Sequence, residues 1–268
     1  GITANANLIF ICGQFNDSCY FDDKYVIGKN SYDIFNAVLS PKGDFKWAKS
    51  GLGDYGNYPN GISSDDLGNT YLTGCFGETI SFDNTQLTSS GKTDAFIVKY
   101  DSFGVCHWAV KAGGALYDQG TGIFADSKSG IVLTGFFDGQ MNIGSKNFTG
   151  YGGKDIFVAE YDASGTLLWA KNAGGSSFDF GLAITKDNSS AYATGYFTTQ
   201  ATFGSTQLNA PGTDQDLFIA RLAIPPPATV IITKHPQDQV VCEDGSAFFN
   251  VGAIGKNLSF QWKFNGND

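Results

Sequence analysis

Four aspartates, Asp33, Asp94, Asp155 and Asp216, recur at intervals of 61 residues, each followed two positions later by Phe35, Phe96, Phe157 or Phe218. Evenly repeated carboxylates have two chemical readings. They can converge on a cation that wants several oxygen ligands, or each can accept backbone hydrogen bonds in the turn before its own strand. The second is preferred, because Asp101-Ser102-Phe103-Gly104 and Asp162-Ala163-Ser164-Gly165 are hairpin-turn sequences without the oxygen series of a calcium loop. No metal and no cofactor is assigned.

The remaining reactive side chains are few. Two histidines, His107 and His235, and one arginine, Arg221, exclude His-rich metal sites, Ser/His/Asp triads with a histidine to spare, and arginine-cluster anion sites. His107 stands where the equivalent positions hold Lys46 and Leu168, which reads as a surface position on an outer strand; His235 lies beside Pro236 with no Asp or Ser to complete a catalytic set. No general acid or base stands out, and no catalytic residue is assigned. Cys12, Cys19, Cys75, Cys106 and Cys242 form no CxxC pair. Cys12 and Cys75, beside the repeat glycines, read as small buried hydrophobes. A formal charge of -9, from 17 basic and 26 acidic residues, leaves little material for a nucleic-acid groove. No apolar run approaches the 18 or so residues of a membrane helix. A soluble chain with neither nucleic-acid partner nor membrane insertion is expected.

What must position these groups is a repeat. Ile11-Cys12-Gly13-Gln14-Phe15, Leu72-Thr73-Gly74-Cys75-Phe76, Leu133-Thr134-Gly135-Phe136-Phe137 and Ala193-Thr194-Gly195-Tyr196-Phe197 place their glycines 61, 61 and 60 residues apart. Trp47, Trp108 and Trp169 form another register, 61 apart and each followed by Ala. Glycine is 35 of 268 residues and aromatics are 15%, a composition of aromatic-rich strands and tight turns. The second unit reads as strands A to D near 61–64, 70–76, 94–100 and 105–112. Runs such as Ile156-Phe157-Val158-Ala159 are apolar without alternation, so both sheet faces must be buried. Four-stranded units stacked face to face are the blades of a β-propeller.

Gly61-Ile62, Gly68-Asn69-Thr70-Tyr71-Leu72-Thr73-Gly74, Asp94-Ala95-Phe96 and Gly113-Gly114 resemble the SBBP-type β-propeller repeat. The likeness covers 1–224 and implies an all-β fold of about 3.75 four-stranded blades of about 61 residues. The chain opens at strand A, and its last unit reaches Ile224 without an outer strand. The expectation is either a four-bladed ring lacking one strand or, the preferred reading, the C-terminal half of a six- to eight-bladed ring, with the closing strand supplied from upstream of Gly1. The turns differ in spacing from the Asp box of sialidases and from the tryptophan-docking motif of quinoproteins. Residues 225–229 form a proline-rich linker, and 230–268 resemble the first strands of a bacterial immunoglobulin-like module with Trp262 as its core tryptophan. Cys242 falls before the second strand of that module instead of inside it.

Alternating strand direction puts the D to A and B to C connections on one face. That face is expected to carry the ligand-binding candidates Asn57, Tyr58, Tyr117, Asp118, Phe178, Asp179 and Phe180, with insertions around 82–92 and 142–153. Aromatics beside carboxamides or carboxylates suit sugars and peptides. The spacing of 61 among Asn57, Asp118 and Asp179 equally fits a loop-stabilising role. The resemblance implies a non-catalytic, extracellular or bacterial cell-surface adhesion scaffold, exported by the type IX route and binding a glycan or protein. The alternative is an accessory region of a secreted hydrolase whose catalytic domain lies elsewhere.

Overall fold

The computed structural model describes residues 1–29, 32–127, 130–187, 189–212, 214–224, 231–234, 236, 246 and 249–254. Among them there is no helix; every regular element is a strand, and every strand ladder is antiparallel. The chain divides after Ala223 into a large unit and a small one. In the small unit, Ile231–Lys234 pairs with Gly252–Ile254. Trp262, the core tryptophan of the immunoglobulin-like reading, and Cys242, where the sequence departs from that pattern, lie outside the described residues.

The large unit repeats one antiparallel pattern four times, with strands A to D in the first three repeats and, among the described residues, A to C in the fourth. In the second, strand A is the end of Phe45–Ser64, strand B the start of Thr70–Phe82, strand C is Asp94–Tyr100 and strand D is Cys106–Gly113. Two of the sequence registers meet inside each sheet. The Thr73 hydroxyl donates to the Phe96 carbonyl at 2.7 Å, Thr134 to Phe157 at 2.9 Å, and Thr194 to Phe218 at 2.7 Å. The threonine of strand B thus fixes its position against the phenylalanine of strand C.

Burial on both faces follows from stacking. Between the first two sheets, Phe10, Ile34 and Val38 pack against Leu72, Phe96 and Val98. Between the second and third, Tyr71, Ala95 and Ile97 meet Leu133, Phe157 and Ala159. Ile156 and Val158 then meet Ala193 and Phe218 of the fourth. The hydrophobic core is therefore a series of layers between sheets. Strand C of the fourth sheet, Gln215–Ala223, shows the converse: Leu217 and Ile219 are 82% and 84% exposed, whereas their equivalents Ile156 and Val158 are 1% and 5%.

The B to C connections, expected as loop insertions around 82–92 and 142–153, are β-hairpins in all four sheets. Ser18–Phe21 pairs with Lys24–Ile27, the end of Thr70–Phe82 with Thr85–Thr88, the end of Gly130–Ile143 with the start of Lys146–Tyr161, and Gln200–Phe203 with Thr206–Asn209. Their two-residue turns begin at Asp22, Asp83, Gly144 and Gly204, all with φ between 50° and 62°. Three hairpins also cross to the preceding sheet. Phe82, Ser81 and Ile80 pair with Gly51, Leu52 and Gly53 at the end of the first strand D. Ile143 and Asn142 pair with Ala112 and Gly113, and Thr202 exchanges hydrogen bonds with Gly174.

The tryptophans add a second cross-sheet tie. Trp47 donates its indole N–H to the Ser102 carbonyl at 3.0 Å, and Trp108 to the Ala163 carbonyl at 3.1 Å, each reaching the C to D turn of the following sheet. A methyl added at Gly104 would sit 2.9 Å from the Trp47 ring, and one at Gly165 2.7 Å from Trp108. Each indole therefore covers the next sheet's turn, not the turn that precedes it in sequence. Trp169 instead donates to Glu160, which is paired with Lys186 in the interior.

Candidate functional site

In the second and third repeats the D to A connection lies against the B to C connection of the same repeat, through backbone bonds. Thr93 N–H donates to the Leu116 carbonyl at 3.2 Å and Asp118 N–H to the Thr93 carbonyl at 2.9 Å. One repeat later, Gly153 N–H reaches the Ser177 carbonyl at 3.1 Å and Asp179 N–H the Lys154 carbonyl at 2.7 Å. These paired connections form a rim on one end of the sheets.

Asn57, Asp118 and Asp179 sit beneath that rim with no exposed surface. This corrects the expectation that they are displayed to a ligand. Asp118 accepts from Gly114 N–H at 2.6 Å and from Asp138 N–H at 3.2 Å. Asp179 accepts from Gly175 N–H at 2.6 Å and Thr198 N–H at 3.1 Å. Each carboxylate gathers backbone donors that the connection would otherwise leave unpaired, which is the reason a polar side chain is retained there. At the first junction Asn57 takes the place of aspartate, and its own carbonyl accepts from the Gln14 side chain at 2.5 Å.

The strand C aspartates meet these groups from the other side. Lys29 N–H donates to Asp33 at 2.6 Å, Ser90 N–H to Asp94 at 3.0 Å and Tyr151 N–H to Asp155 at 2.9 Å, so each closes the turn before its strand, as the sequence predicts. Asp216 is half-buried. The two carboxyl sets nearly touch. A methyl added at Gly113 would lie 2.5 Å from the Asp94 carboxyl carbon and 2.9 Å from an Asp118 oxygen. Burial pushes the Asp118 carboxyl up to about 7, backbone donors from Gly114 and Asp138 oppose this, and the Asp94 charge adds to it. Burial raises Asp155 to about 6, with Asp179 adding repulsion, and raises Asp179 itself. Raised carboxyls often mark catalytic acids, but these are sealed from solvent and already bonded to the backbone, so they serve the rim's architecture. Among the described residues no cluster of three or more His, Cys, Asp or Glu can hold a metal.

The aromatic candidates do reach solvent. Tyr58 is 43% exposed, Tyr117 49% and Phe178 56%. Tyr58 stacks on Tyr32, also exposed, at a centroid distance of 6.4 Å and an interplanar angle of 19°. Tyr117 bridges Thr93, and Phe178 lies over Gly153. Phe180 belongs elsewhere. It is half-buried between Phe136 and Tyr196 at 4.7 and 4.9 Å, with the Lys154 ammonium 5.4 Å from its ring. Tyr32, which the sequence reading did not single out, joins the rim through that stack.

His107 is exposed on strand D and pairs with Asp101 at 3.0 Å, in keeping with a surface role. Cys12, Cys19, Cys75 and Cys106 are unbridged; burial raises the Cys75 thiol to about 12, far from a reactive thiolate.

No family model matches the chain. An uncharacterized WD repeat-containing protein of Acanthamoeba polyphaga mimivirus is 28% identical to it over 144 residues, which cover 47% of this chain and 10% of that protein. WD repeats build four-stranded propeller blades. The stacked sheets and this similarity agree: the chain is a propeller-like repeat protein. Its sheets can be called blades. The chain spans about a tenth of that relative's length.

Proposed function

We infer that this propeller-like chain is a non-catalytic binding or adhesion scaffold that works outside the cell or on a bacterial cell surface. Its ligand, a glycan or a protein, meets the rim formed by the D to A and B to C connections. The observation that carries this reading is the row of solvent-facing rings, Tyr58, Tyr117 and Phe178, held on backbone-bonded connections above the buried Asn57, Asp118 and Asp179. Rigid aromatic surface with little side-chain entropy to lose is what glycan and peptide recognition uses. In the finer form of this proposal, the blades are of SBBP type and belong to a larger ring. Residues 230–268 then begin an immunoglobulin-like module, and export follows the type IX route.

The test compares the native chain with a Tyr58→Ser, Tyr117→Ser, Phe178→Ser variant on a glycan array and in a cell-adhesion assay. All three positions are exposed, so the variant should keep its melting temperature while losing specific binding. Equal signals from both proteins, or none from either, refute the rim as the binding surface.

A further inference from the structure

Beneath the rim, each of the first three blades sets its strand C aspartate against a residue of the D to A connection that follows, and the charges at these three junctions differ. At the first, Asp33 and the neutral Asn57 both lie against Gly53. At the second, Asp94 and Asp118 are both carboxyls, and the Lys111 ammonium donates to Asp94 Oδ2 at 2.8 Å while the Ser89 hydroxyl reaches Asp94 Oδ1 at 3.4 Å. At the third, Asp155 and Asp179 repeat the carboxyl pair, but Asn172 stands where the second junction has Lys111, and Gly150 where it has Ser89. Both partners are lost together. Lys154, beside Asp155 in sequence, holds its ammonium over the Phe136 ring at 4.4 Å, and Asp138 and Asp179 add repulsion at Asp155.

One oxygen marks the deficit. Asp155 has no exposed surface, and its Oδ1 has no hydrogen-bond partner among the described residues. A buried charged oxygen left in this state is costly. A methyl added at Gly174 would lie 2.0 Å from Asp155 Oδ1 and 3.1 Å from Asp179 Oδ2, so glycine keeps clear a point that both carboxyls flank. The two oxygens are therefore within about 5 Å of each other, a span that one calcium ion bridges with oxygen bonds of about 2.3–2.6 Å.

We propose that the third junction binds one calcium ion between Asp155 Oδ1 and the Asp179 carboxylate, in the electrostatic role that the Lys111 ammonium has at the second. Two side-chain carboxylates suffice, because calcium completes its shell from backbone carbonyls and water. Magnesium fits less well: its bonds are shorter, and it gives up water reluctantly on entering a buried site. The ion ties strand Lys146–Tyr161 of the third blade to the connection that carries Phe178 and leads into Phe180–Lys186 of the fourth. The inference rests on charge and burial within the repeat and is independent of any ligand on the rim.

The probe is calcium itself. Thermal unfolding of the full chain is compared at neutral pH in EDTA and in calcium chloride, and uptake is measured by equilibrium dialysis. A single ion per chain is expected, with a rise in melting temperature of about 5–10 °C at roughly a hundredfold excess over the Kd. Asp155→Asn keeps an acceptor for the Tyr151 N–H, removes the charge, and should abolish both responses. Asn172→Lys installs the ammonium of the second junction, and in EDTA should melt close to the calcium-bound native chain, with no further response to calcium. Absence of uptake and of any shift in the native chain overturns the proposal, as does calcium binding unchanged by either substitution. The rim variant described above should take up the ion normally, so the two readings fail separately.

Discussion

The indole of Trp47 donates to the carbonyl of Ser102, 55 residues further on, and lies flat over Gly104 in the neighbouring blade. One side chain thereby both closes a turn and joins two layers. Trp47 is 9% exposed. Trp47→Ala should destabilise the chain by about 3–5 kcal/mol through the cavity it leaves. Trp47→Phe, which keeps much of the packing and loses the N–H donor, should cost about 1 kcal/mol more than its lost area. Urea unfolding of both variants checks the split, and a Trp47→Phe cost no larger than its lost area accounts for would mean that the hydrogen bond contributes nothing.

Stability should fall as the solution passes from mildly acidic to neutral. Asp118 is held up to about 7 and Asp155 to about 6 in the folded chain, above the ordinary aspartate value, so the folded state binds protons more tightly than the unfolded one. Their contribution is fully present below about pH 4 and is lost as pH rises through the folded values. The slope is about 1.4 kcal/mol per pH unit for each such group while it titrates. Asp187, lowered to about 2 by backbone and hydroxyl donors, acts in the opposite sense and only in stronger acid. Asp118→Asn, which copies the residue found at position 57, should flatten the neutral limb of the profile. A profile unchanged by that substitution would count against the burial of this carboxyl.

Gly204 starts its hairpin with φ of 62° and has open space where a side chain would go. Gly204→Val should therefore cost about 1–2 kcal/mol from backbone conformation alone. Gly204→Asp should cost less, since Asp22 and Asp83 hold the same conformation in the first two blades. Thermal unfolding distinguishes the pair.

Lys186 and Glu160 meet between the third and fourth blades with side chains 2% and 3% exposed. Lys186→Met leaves a buried carboxylate without its cation and should cost about 3–5 kcal/mol. Adding Glu160→Gln removes that charge, keeps an acceptor for the Trp169 indole, and should restore most of the loss. A double-mutant cycle reads the coupling.

The strands were legible because two constraints act on the same residues. Asp94–Tyr100 must be apolar on both faces and must enter from a turn, so the residue types repeat with the period. Thr70 to Phe76 and the D strand were legible for the same reason, the latter displaced by one residue to Cys106–Gly113. The hairpins were not. Their turns open with Asp, Asp, Gly and Gly, so what recurs is tolerance of a left-handed backbone and not an identity. Burial of Asp118 was also hidden. Gly114, four residues before, is a visible donor, but Asp138 comes from another strand and only the fold brings it near.

A hairpin that pairs backward with the preceding strand D means that each module carries the fastening for its predecessor. An in-frame tandem duplication of one such module arrives with both a surface to be covered and the clasp that holds it. Lengthening the array by whole modules then needs no invention of new contacts, whereas half a module would leave a clasp with nothing to grip.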